Sequence, residues 1–486
     1  MLFNSPEFAI FFVVVTFLYF VLPHKARWFL LLAASCYFYM TFVPVYIFIL
    51  AFTIIVDYCA GILIENSTGR RRKTWFVVSL VANIGILVVF KYFNFFGHNL
   101  NVLAHYFKYK NPIPPLNIIL PIGLSFHTFQ AMSYTIEVYR GNQRAERHLG
   151  IYSLYVMFYP QLVAGPIERP QNLLHQFKEK HRFKYENITK GLRLMAWGLF
   201  KKVVIADRIA VIVNDVYADP HHYNAISLLF AVVLFSFQIY CDFSGYSDIA
   251  IGAARAMGFH LMKNFDNPFQ SRSVAEFWRR WHISLSSWLN DYLYLPLSIS
   301  FRDQGKLGVV AALLFTFFLA GLWHGANWTF VIYGLANGAA LVYEFYTRKI
   351  RKKILHKLPA IPVMLITQVL TWFFVACTWI FFRSPNTHTG FYICKRIFTE
   401  LPQALLQLLH PRSCFREFSI SGIDIAYFLI LMCGLTIFQW LQSSIGLIDR
   451  FNKSPFWLRW SAYFIVIYMI LVLGVFNNTR FIYFQF

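Results

Sequence analysis

The sequence predicts an all-α, polytopic integral membrane protein, a helical bundle with about 10–12 membrane spans. Three observations support this prediction. Hydrophobic residues make up 58% of the 486 residues and charged residues 14%, whereas soluble domains carry about 25% charged residues. The apolar residues are collected in runs of span length, and the basic residues fall largely between those runs. The net charge of +22 is therefore better explained by span orientation than by nucleic-acid binding.

Twelve apolar runs are candidate spans, because a helix needs about 20 mostly apolar residues to cross a membrane. In chain order they occupy residues 7–22, 28–43, 46–64, 75–92, 118–138, 192–213, 226–254, 307–323, 328–346, 361–382, 424–442 and 457–476. The first ten residues hold Glu7 but no Lys or Arg, so we expect an uncleaved first span rather than a signal peptide.

Basic blocks indicate the orientation of these spans. The blocks at residues 70–73, 140–147, 255–280 and 348–353 follow the third, fifth, seventh and ninth candidate spans. All four fall on one side of the membrane if the amino terminus is outside. An excess of Lys and Arg marks that side as cytoplasmic.

Three segments do not fit simple spans. Residues 150–166 are apolar but short and bracketed by Pro and Gly, which suits a re-entrant segment shielded by protein. Residues 383–423 place basic residues on the predicted outer side, against the orientation rule. Residues 276–297 repeat large apolar side chains at steps of three and four: Trp278, Trp281, Leu285, Trp288 and Tyr292. That spacing predicts one amphipathic helix, lying in the interface or dipping into the bundle.

Several familiar chemistries are absent from the sequence. The seven cysteines show no Cys-x-x-Cys spacing and are odd in number, so we expect neither a disulfide framework nor a metal site. No Gly-rich phosphate loop, His-Glu-x-x-His or Gly-x-Ser-x-Gly motif occurs, which argues against ATP-driven transport and serine hydrolysis. The two halves show no matching broken segments, which counts against an inverted-repeat transporter.

Two Trp-His pairs are the strongest candidates for chemistry, because ionisable residues near membrane depth cost free energy. His324, after Trp323, ends an apolar run and precedes the small residues Gly325-Ala326-Asn327. A neutral imidazole there could act as a general base, or it could cap a helix beside interfacial tryptophans. His282 lies among Arg279 and Arg280 on the predicted amphipathic helix, where a structural or membrane-surface role competes with a functional one.

A second polar stretch lies late in the seventh candidate span. It contains Asp242, Ser244, Tyr246 and Asp248, and such groups must face partners or water. Asp242 and Tyr246, one turn apart, could line a polar tunnel. Alternatively, Asp242 or Asp248 could neutralise Arg279 or Arg280.

Several ordered stretches resemble the membrane-bound O-acyltransferase family, in its branch that acetylates bacterial polysaccharides such as alginate. They occupy residues 121–130, 160–166, 198–207, 240–248, 272–296 and 322–328, within residues 110–345. A long ordered set of motifs is far more specific than one short pattern. Two departures concern the donor side: Asn290 replaces the branch's usual Arg, and Ser298-Ile299-Ser300 replaces Gly-Gly-Asn.

The resemblance implies a helical core around a central tunnel. It implies that His324 and His282 are the catalytic histidines. It further implies that the residues lining the tunnel or the donor side bind substrate: Asp242, Ser244, Tyr246, Asp248, Arg279, Arg280, Trp323 and Asn327. No bound cofactor is expected; acetyl-CoA or an acyl-carrier thioester would be the donor substrate, with its phosphates near Arg279, Arg280 and Lys263.

The implied setting is a multi-pass protein of the bacterial inner membrane that works with an envelope partner on an exported polysaccharide. We expect one membrane domain over residues 1–486, with the catalytic core at 110–345 and carboxy-terminal spans at 360–486. Peptidoglycan O-acetylation and D-alanylation of teichoic acid remain alternatives within the family. A proton-coupled exporter or flippase is the alternative from another functional class.

Overall fold

The computed structural model of the chain describes residues 1–109, 112–118, 120–163, 165–407, 418, 422–476 and 481–482. All regular secondary structure in these residues is helical, which confirms the predicted fold class. The helices are α1 Pro6–Val21, α2 His24–Met40, α3 Ile47–Asn66, α4 Gly69–Leu87, α5 Phe93–Tyr106, α6 Leu124–Arg140, α7 Leu149–Met157, α8 Tyr159–Leu162, α9 Pro170–Leu173, α10 Tyr185–Leu199, α11 Asp207–Ala218, α12 Ala225–Ala256, α13 Val274–Arg280, α14 Ile283–Leu289, α15 Leu295–Ser300, α16 Lys306–His324, α17 Trp328–Leu355, α18 Ala360–Arg383, α19 Thr387–Gln407, α20 Gly422–Ile445, α21 Leu447–Asn452 and α22 Phe456–Leu473.

Helices cover most of every predicted span. Seven helical segments among the described residues are long and apolar enough to cross a membrane: Pro44–Asn66, Gly69–Tyr106, Ala225–Ala256, Lys306–His324, Ala360–Arg383, Ile423–Ile445 and Phe456–Leu473. This number is smaller than the predicted span count. The first predicted span forms a helix of only 16 residues, and the span predicted at 192–213 is divided by the π-helical segment Phe200–Ala206. The chain is thus a multi-pass membrane protein whose helices differ in length and continuity.

The described chain forms two compact units. The first contains Met1–Met195, Tyr246–Lys263 and Tyr483–Phe486, and the second contains Ala196–Gly245 and Asn264–Ile482, although residues 483–486 and 477–480 lie outside the described residues. Both candidate histidines and the first part of the polar stretch of α12 fall in the second unit. The predicted core at 110–345 therefore contributes residues to each unit.

A buried hydrogen-bond cluster joins α3, α4 and α6 in the first unit. The fully buried Asp57 accepts a hydrogen bond of 2.6 Å from Ser79 and bonds of 2.9 Å to both carboxylate oxygens from Asn83. The Ser79 hydroxyl also lies 3.0 Å from that of Thr135. Buried polar groups need such partners, so this cluster determines which faces of the three helices meet.

Glycines let α16 and α17 pack closely in the second unit. A Cβ on Gly321 would lie 2.3 Å from the carbonyl oxygen of Phe330, and one on Gly334 would lie 2.2 Å from that of Phe317. Small residues allow helix backbones to approach within a membrane. This close approach holds the carboxy-terminal end of α16, and with it His324, against α17.

The prediction of one continuous helix over residues 276–297 is wrong. Helix α13 ends at Arg280, α14 begins at Ile283, and the π-helical segment Asn290–Tyr294 follows. The break occurs at His282, whose φ of 44° is left-handed. The kink does not expose the apolar stripe of this segment. Four of its five large side chains are buried: Trp278, Trp281, Leu285 and Trp288.

The other two irregular segments are described in part. Residues 150–166 form the short helices α7 and α8, separated at Phe158, and their re-entrant topology stays a prediction. Ala164 lies outside the described residues. In the segment 383–423, α19 accounts for Thr387–Gln407, whereas residues 408–417 and 419–421 lie outside the described residues, as does Cys414.

We expect Gly334→Ala to destabilise the protein by about 1–3 kcal/mol or more, because the new methyl group meets a backbone oxygen that cannot move aside. Gly434→Ala is the matched control: nothing lies within 4 Å of its Cβ position in α20. That substitution should be neutral or raise stability by up to about 1 kcal/mol through helix propensity. Thermal unfolding of the purified variants in one detergent measures both effects. Equal midpoints would contradict the close packing of α16 and α17.

Candidate active site

His324 is the last residue of α16. Helix α16 is apolar along most of its length, and Gly325 follows it in extended conformation. A Cβ on Gly325 would lie 2.2 Å from a ring carbon of Phe330, so only glycine fits at this turn without rearrangement. The His324 side chain is buried, with 3% of its surface exposed. The structure therefore places this imidazole inside the protein and not at a solvated helix end.

Aromatic rings surround His324. Its ring centroid lies 5.1 Å from that of Trp323, 5.3 Å from that of Phe382 and 5.7 Å from that of Tyr333. All three neighbours are themselves buried. Such a wall excludes water, and electrostatic interactions are stronger in the low-dielectric space that results.

His282 lies in the break between α13 and α14, in a conformation that costs backbone strain. Strained residues persist where the surroundings fix them, and they cluster at functional sites. At His282, the side chain of Asn264 fixes the imidazole. Its Oδ1 lies 3.2 Å from His282 Nδ1 and also accepts a hydrogen bond of 2.9 Å from the Ser284 hydroxyl. Nδ1 must carry the hydrogen to donate to this oxygen, which leaves the lone pair on Nε2.

The two histidines share one neighbour, Trp323. Its ring centroid lies 5.9 Å from that of His282 and 5.1 Å from that of His324. Complete burial, and after it the electrostatic interaction with His324, lowers the pKa of His282 well below its usual value. The neutral imidazole is therefore the stable form of His282, as a base or hydrogen-bond partner requires.

Asp242 is held in a buried ion cluster. Lys202 Nζ lies 2.7 Å from Asp242 Oδ1 and 2.8 Å from Asp207 Oδ1, and all three side chains are at most 5% exposed. The other oxygen of Asp242 accepts a hydrogen bond of 2.8 Å from the backbone N–H of Ile482. The alternative in which Asp242 neutralises Arg279 or Arg280 is wrong, because Lys202 supplies its positive charge.

The neighbouring residue Lys201 also binds α12. Its Nζ donates a hydrogen bond of 2.8 Å to the Ser244 hydroxyl. Both lysines lie in the π-helical segment, and such wide turns are frequent at functional sites. Phe243, between the two contacts on α12, places its ring 4.6 Å from that of His282. The lysine pair thus fixes the part of α12 that packs on this histidine.

The remaining predicted site residues have varied surroundings. Tyr246 belongs to the first unit, where its ring stacks 4.6 Å from that of Phe3. Asp248 is partly exposed on the same helix. Asn327 caps α17 by accepting a hydrogen bond from Thr329 N, and its amide donates to the Pro385 carbonyl.

The two arginines differ in availability. Arg280 pairs with Glu276 at 2.8 Å, as their i,i+4 spacing predicts, and its guanidinium also donates to the backbone carbonyl of Asp266 at 3.5 Å. Arg279 is exposed. Of the two, Arg279 is thus the one that can reach a solvent-borne anion without breaking an ion pair.

No sequence motif marks the residues that orient the candidate histidines. Asn264 lies 18 positions before His282 without a motif that marks it. Lys202 and Asp207 lie inside the stretch 198–207 that resembles the family, but nothing in that stretch indicates that the two residues pair. Tyr333 and Phe382, which pack on His324, look like ordinary span residues. Only packing brings these positions together.

Comparisons with known proteins match this chain over most of its length. The model of the MBOAT, membrane-bound O-acyltransferase family, matches residues 16–383. A peptidoglycan O-acetyltransferase of Helicobacter pylori is 35% identical over 431 residues, covering 81% of this chain and 79% of that protein. A Pseudomonas aeruginosa protein named "Probable alginate O-acetylase AlgI" is 34% identical over 442 residues, covering 90% and 82%. A teichoic acid D-alanyltransferase of Bacillus subtilis is 28% identical and covers 48% of this chain and 62% of its own length.

We expect Lys202→Met to cost about 3–5 kcal/mol of stability, because it leaves two carboxylates buried without their cation. Arg302→Met is the control, since Arg302 and its partner Asp303 are 77% and 91% exposed. An exposed pair contributes at most about 1 kcal/mol. Thermal unfolding in detergent measures the difference, and Asp242→Asn should fall between the two. Similar stability of Lys202→Met and Arg302→Met would show that the ion cluster does not stabilise the fold.

Proposed function

The chain belongs to the membrane-bound O-acyltransferase family, and we propose that it moves an acetyl group from a thioester donor toward a hydroxyl of an exported polysaccharide. Acyltransferase activity follows from family membership. The acetyl group, the donor and the acceptor are the proposed details. We place the protein in the inner membrane of a bacterium, where it would link cytoplasmic donor and exported acceptor.

The observation that carries the proposal is the burial of His324 among aromatic rings, beside a second, neutral histidine. As general base, His324 takes the proton of the acceptor hydroxyl while the hydroxyl oxygen attacks the thioester carbonyl carbon. The carbon–sulfur bond then breaks as the new ester forms, and the thiolate takes the proton back from the His324 imidazolium and leaves as the thiol. Excluding water from this space favours transfer to the acceptor over hydrolysis.

For His282 we propose a supporting role in the same reaction. Its Nδ1–H is held by Asn264, so Nε2 faces the interior in a fixed orientation. A second imidazole held this way can accept one hydrogen bond at Nε2 during transfer. Trp323, Asn327 and the tunnel residues Asp242, Ser244, Tyr246 and Asp248 would then shape or support the substrate path.

We propose acetyl-CoA as the donor, entering from the cytoplasmic side, with an acyl-carrier thioester as the alternative. The exposed guanidinium of Arg279 would meet the donor's phosphates. Arginine suits this task because its planar group binds phosphate oxygens in pairs. Arg280 would act mainly through its pairing with Glu276, which orients the end of α13.

For the acceptor we propose an exported glycan such as alginate, reached through an envelope partner protein. Peptidoglycan is the second candidate, because a peptidoglycan O-acetyltransferase matches the chain about as well as the alginate-type proteins do. D-alanylation of teichoic acid is weaker, because its relatives match only about half of the chain.

An exporter or flippase with a proton relay is the rival from another class. It predicts that Asp242→Asn harms flux more than His324→Ala and that the purified protein does not consume acetyl-CoA when an acceptor is supplied. A loss of flux in Asp242→Asn could equally come from a disturbed fold, since Asp242 pairs with Lys202 and accepts a hydrogen bond from the Ile482 N–H. Acetyl-CoA consumption therefore separates the two functions more cleanly.

We expect His324→Ala to lower acyl transfer at least about a hundredfold, the usual contribution of a general base. Release of CoA thiol and acetylation of the envelope glycan are the measurements. His356→Ala is the control, because His356 is an exposed histidine just beyond α17. Normal acetylation by a normally folded His324→Ala protein would sink the catalytic proposal.

We expect Arg279→Ala to raise KM for acetyl-CoA several-fold with little change in kcat, because lost phosphate binding affects ground state and transition state alike. Steady-state kinetics with varied acetyl-CoA measures the effect, and Arg302→Ala serves as an exposed arginine control. An unchanged KM would move the donor's phosphates away from Arg279. The His324 prediction stands independently of that outcome.

A further inference from the structure

A groove runs along one side of α4 in the first unit. Its volume is about 640 Å³, and it is lined by Arg70, Lys73, Thr74, Val77, Val78, Val81 and Ala82. These positions recur at helical spacing, so they form one continuous face of α4. The two charges and the Thr74 hydroxyl lie at one end of this face, and apolar side chains fill the rest.

The cations in this groove have no acidic partner in the part of the chain that the structure describes. Among the described residues, neither Arg70 nor Lys73 forms an ion pair with a carboxylate, and both are exposed. The first turn of α4 contains no acidic residue. This end of the groove therefore carries two uncompensated positive charges, which favour an anionic ligand.

Arg72, on the opposite side of α4, differs because its side chain is used for packing within the protein. Arg72 donates to the carbonyl oxygen of Tyr139 at 2.7 Å and stacks 5.4 Å from the Tyr139 ring. Ser79 and Asn83 also point to that side, where they hold Asp57. Helix α4 thus has an inner face used for packing and an outer face, the groove, that is left open.

The apolar part of the groove has the exposure and composition of a bilayer-facing surface. Val77, Val78 and Val81 are 44%, 42% and 65% exposed, on a segment apolar enough to cross the membrane. From residue 70 to residue 82 a helix rises about 18 Å at 1.5 Å per residue. One leaflet of hydrocarbon is about 15 Å thick, half of the full core. The groove therefore spans one leaflet, with its charges at headgroup level.

We propose that this groove binds an anionic phospholipid. The phosphate and the headgroup would lie between Arg70 and Lys73, and an acyl chain would follow the valine face. A free phosphate would use the charges but not the apolar face, and a zwitterionic lipid would use the apolar face but gain less from the charges. The bound lipid would occupy this face of α4 in place of another helix.

The test compares phosphatidylglycerol and phosphatidylcholine binding to the full chain by native mass spectrometry in detergent. Each basic residue near a lipid headgroup contributes about 1 kcal/mol, so Arg70→Ala with Lys73→Ala should weaken phosphatidylglycerol binding about thirtyfold. The control is Arg71→Ala with Lys353→Ala, which removes the same charge at exposed residues that do not line the groove. It should bind like the unaltered protein.

A second variant tests the apolar half of the groove. Val77→Ser with Val81→Ser should weaken phosphatidylglycerol binding while leaving the two cations in place. Three results would overturn the proposal: equal binding of the two lipids, equal effects of the two charge-removing pairs, or displacement of the lipid by millimolar inorganic phosphate. Because the substituted side chains are exposed, size-exclusion profiles should be unchanged in every variant.

Discussion

Neutralising charge inside an apolar protein is the constraint on which the second unit depends. Lys202 lies between Asp207 and Asp242, and all three side chains are almost inaccessible to water. A buried charge without a partner costs several kcal/mol, so these groups can only be buried together. Through Asp242 the same cluster holds the backbone of Ile482, and it fixes α12 where Phe243 meets His282. The position of one candidate histidine therefore depends on an ion cluster that does not touch it.

The second constraint is the close approach of α16 and α17. Gly321 and Gly334 bring the two backbones together, and Gly325 lets the chain turn beside Phe330. With the helices in contact, Tyr333 and Phe382 close around His324. A small-residue pattern that appeared in the sequence as a break thus creates a dry, aromatic space. In the proposed reaction, that space would let the imidazole act as a base on a hydroxyl without competition from water.

The groove on α4 is unlike the histidine region in physical character. It is open, no described carboxylate pairs with its two cations, and its apolar side chains face outward. Around the histidines, charge is paired inside the protein; on α4, the protein leaves two cations for the surroundings to neutralise. The difference follows from solvent: a charge at headgroup level can find a lipid phosphate, whereas a charge in the core can only find another residue.

The sequence by itself determined the helical, membrane-embedded class and the approximate positions of the long apolar helices, and it singled out the two histidines as candidates, because these follow from local hydrophobicity and from ordered motifs. It failed at residues 276–297, where a regular spacing predicted one helix and the chain turns at His282. One of its two readings of Asp242, as a partner of Arg279 or Arg280, is also wrong, because packing pairs this carboxylate with Lys202 instead. Only the tertiary structure decided how Asn264, Lys202 and Phe382 surround the histidines. These contacts join residues distant in sequence, and local periodicity carries no information about which distant side chains a buried polar group will find.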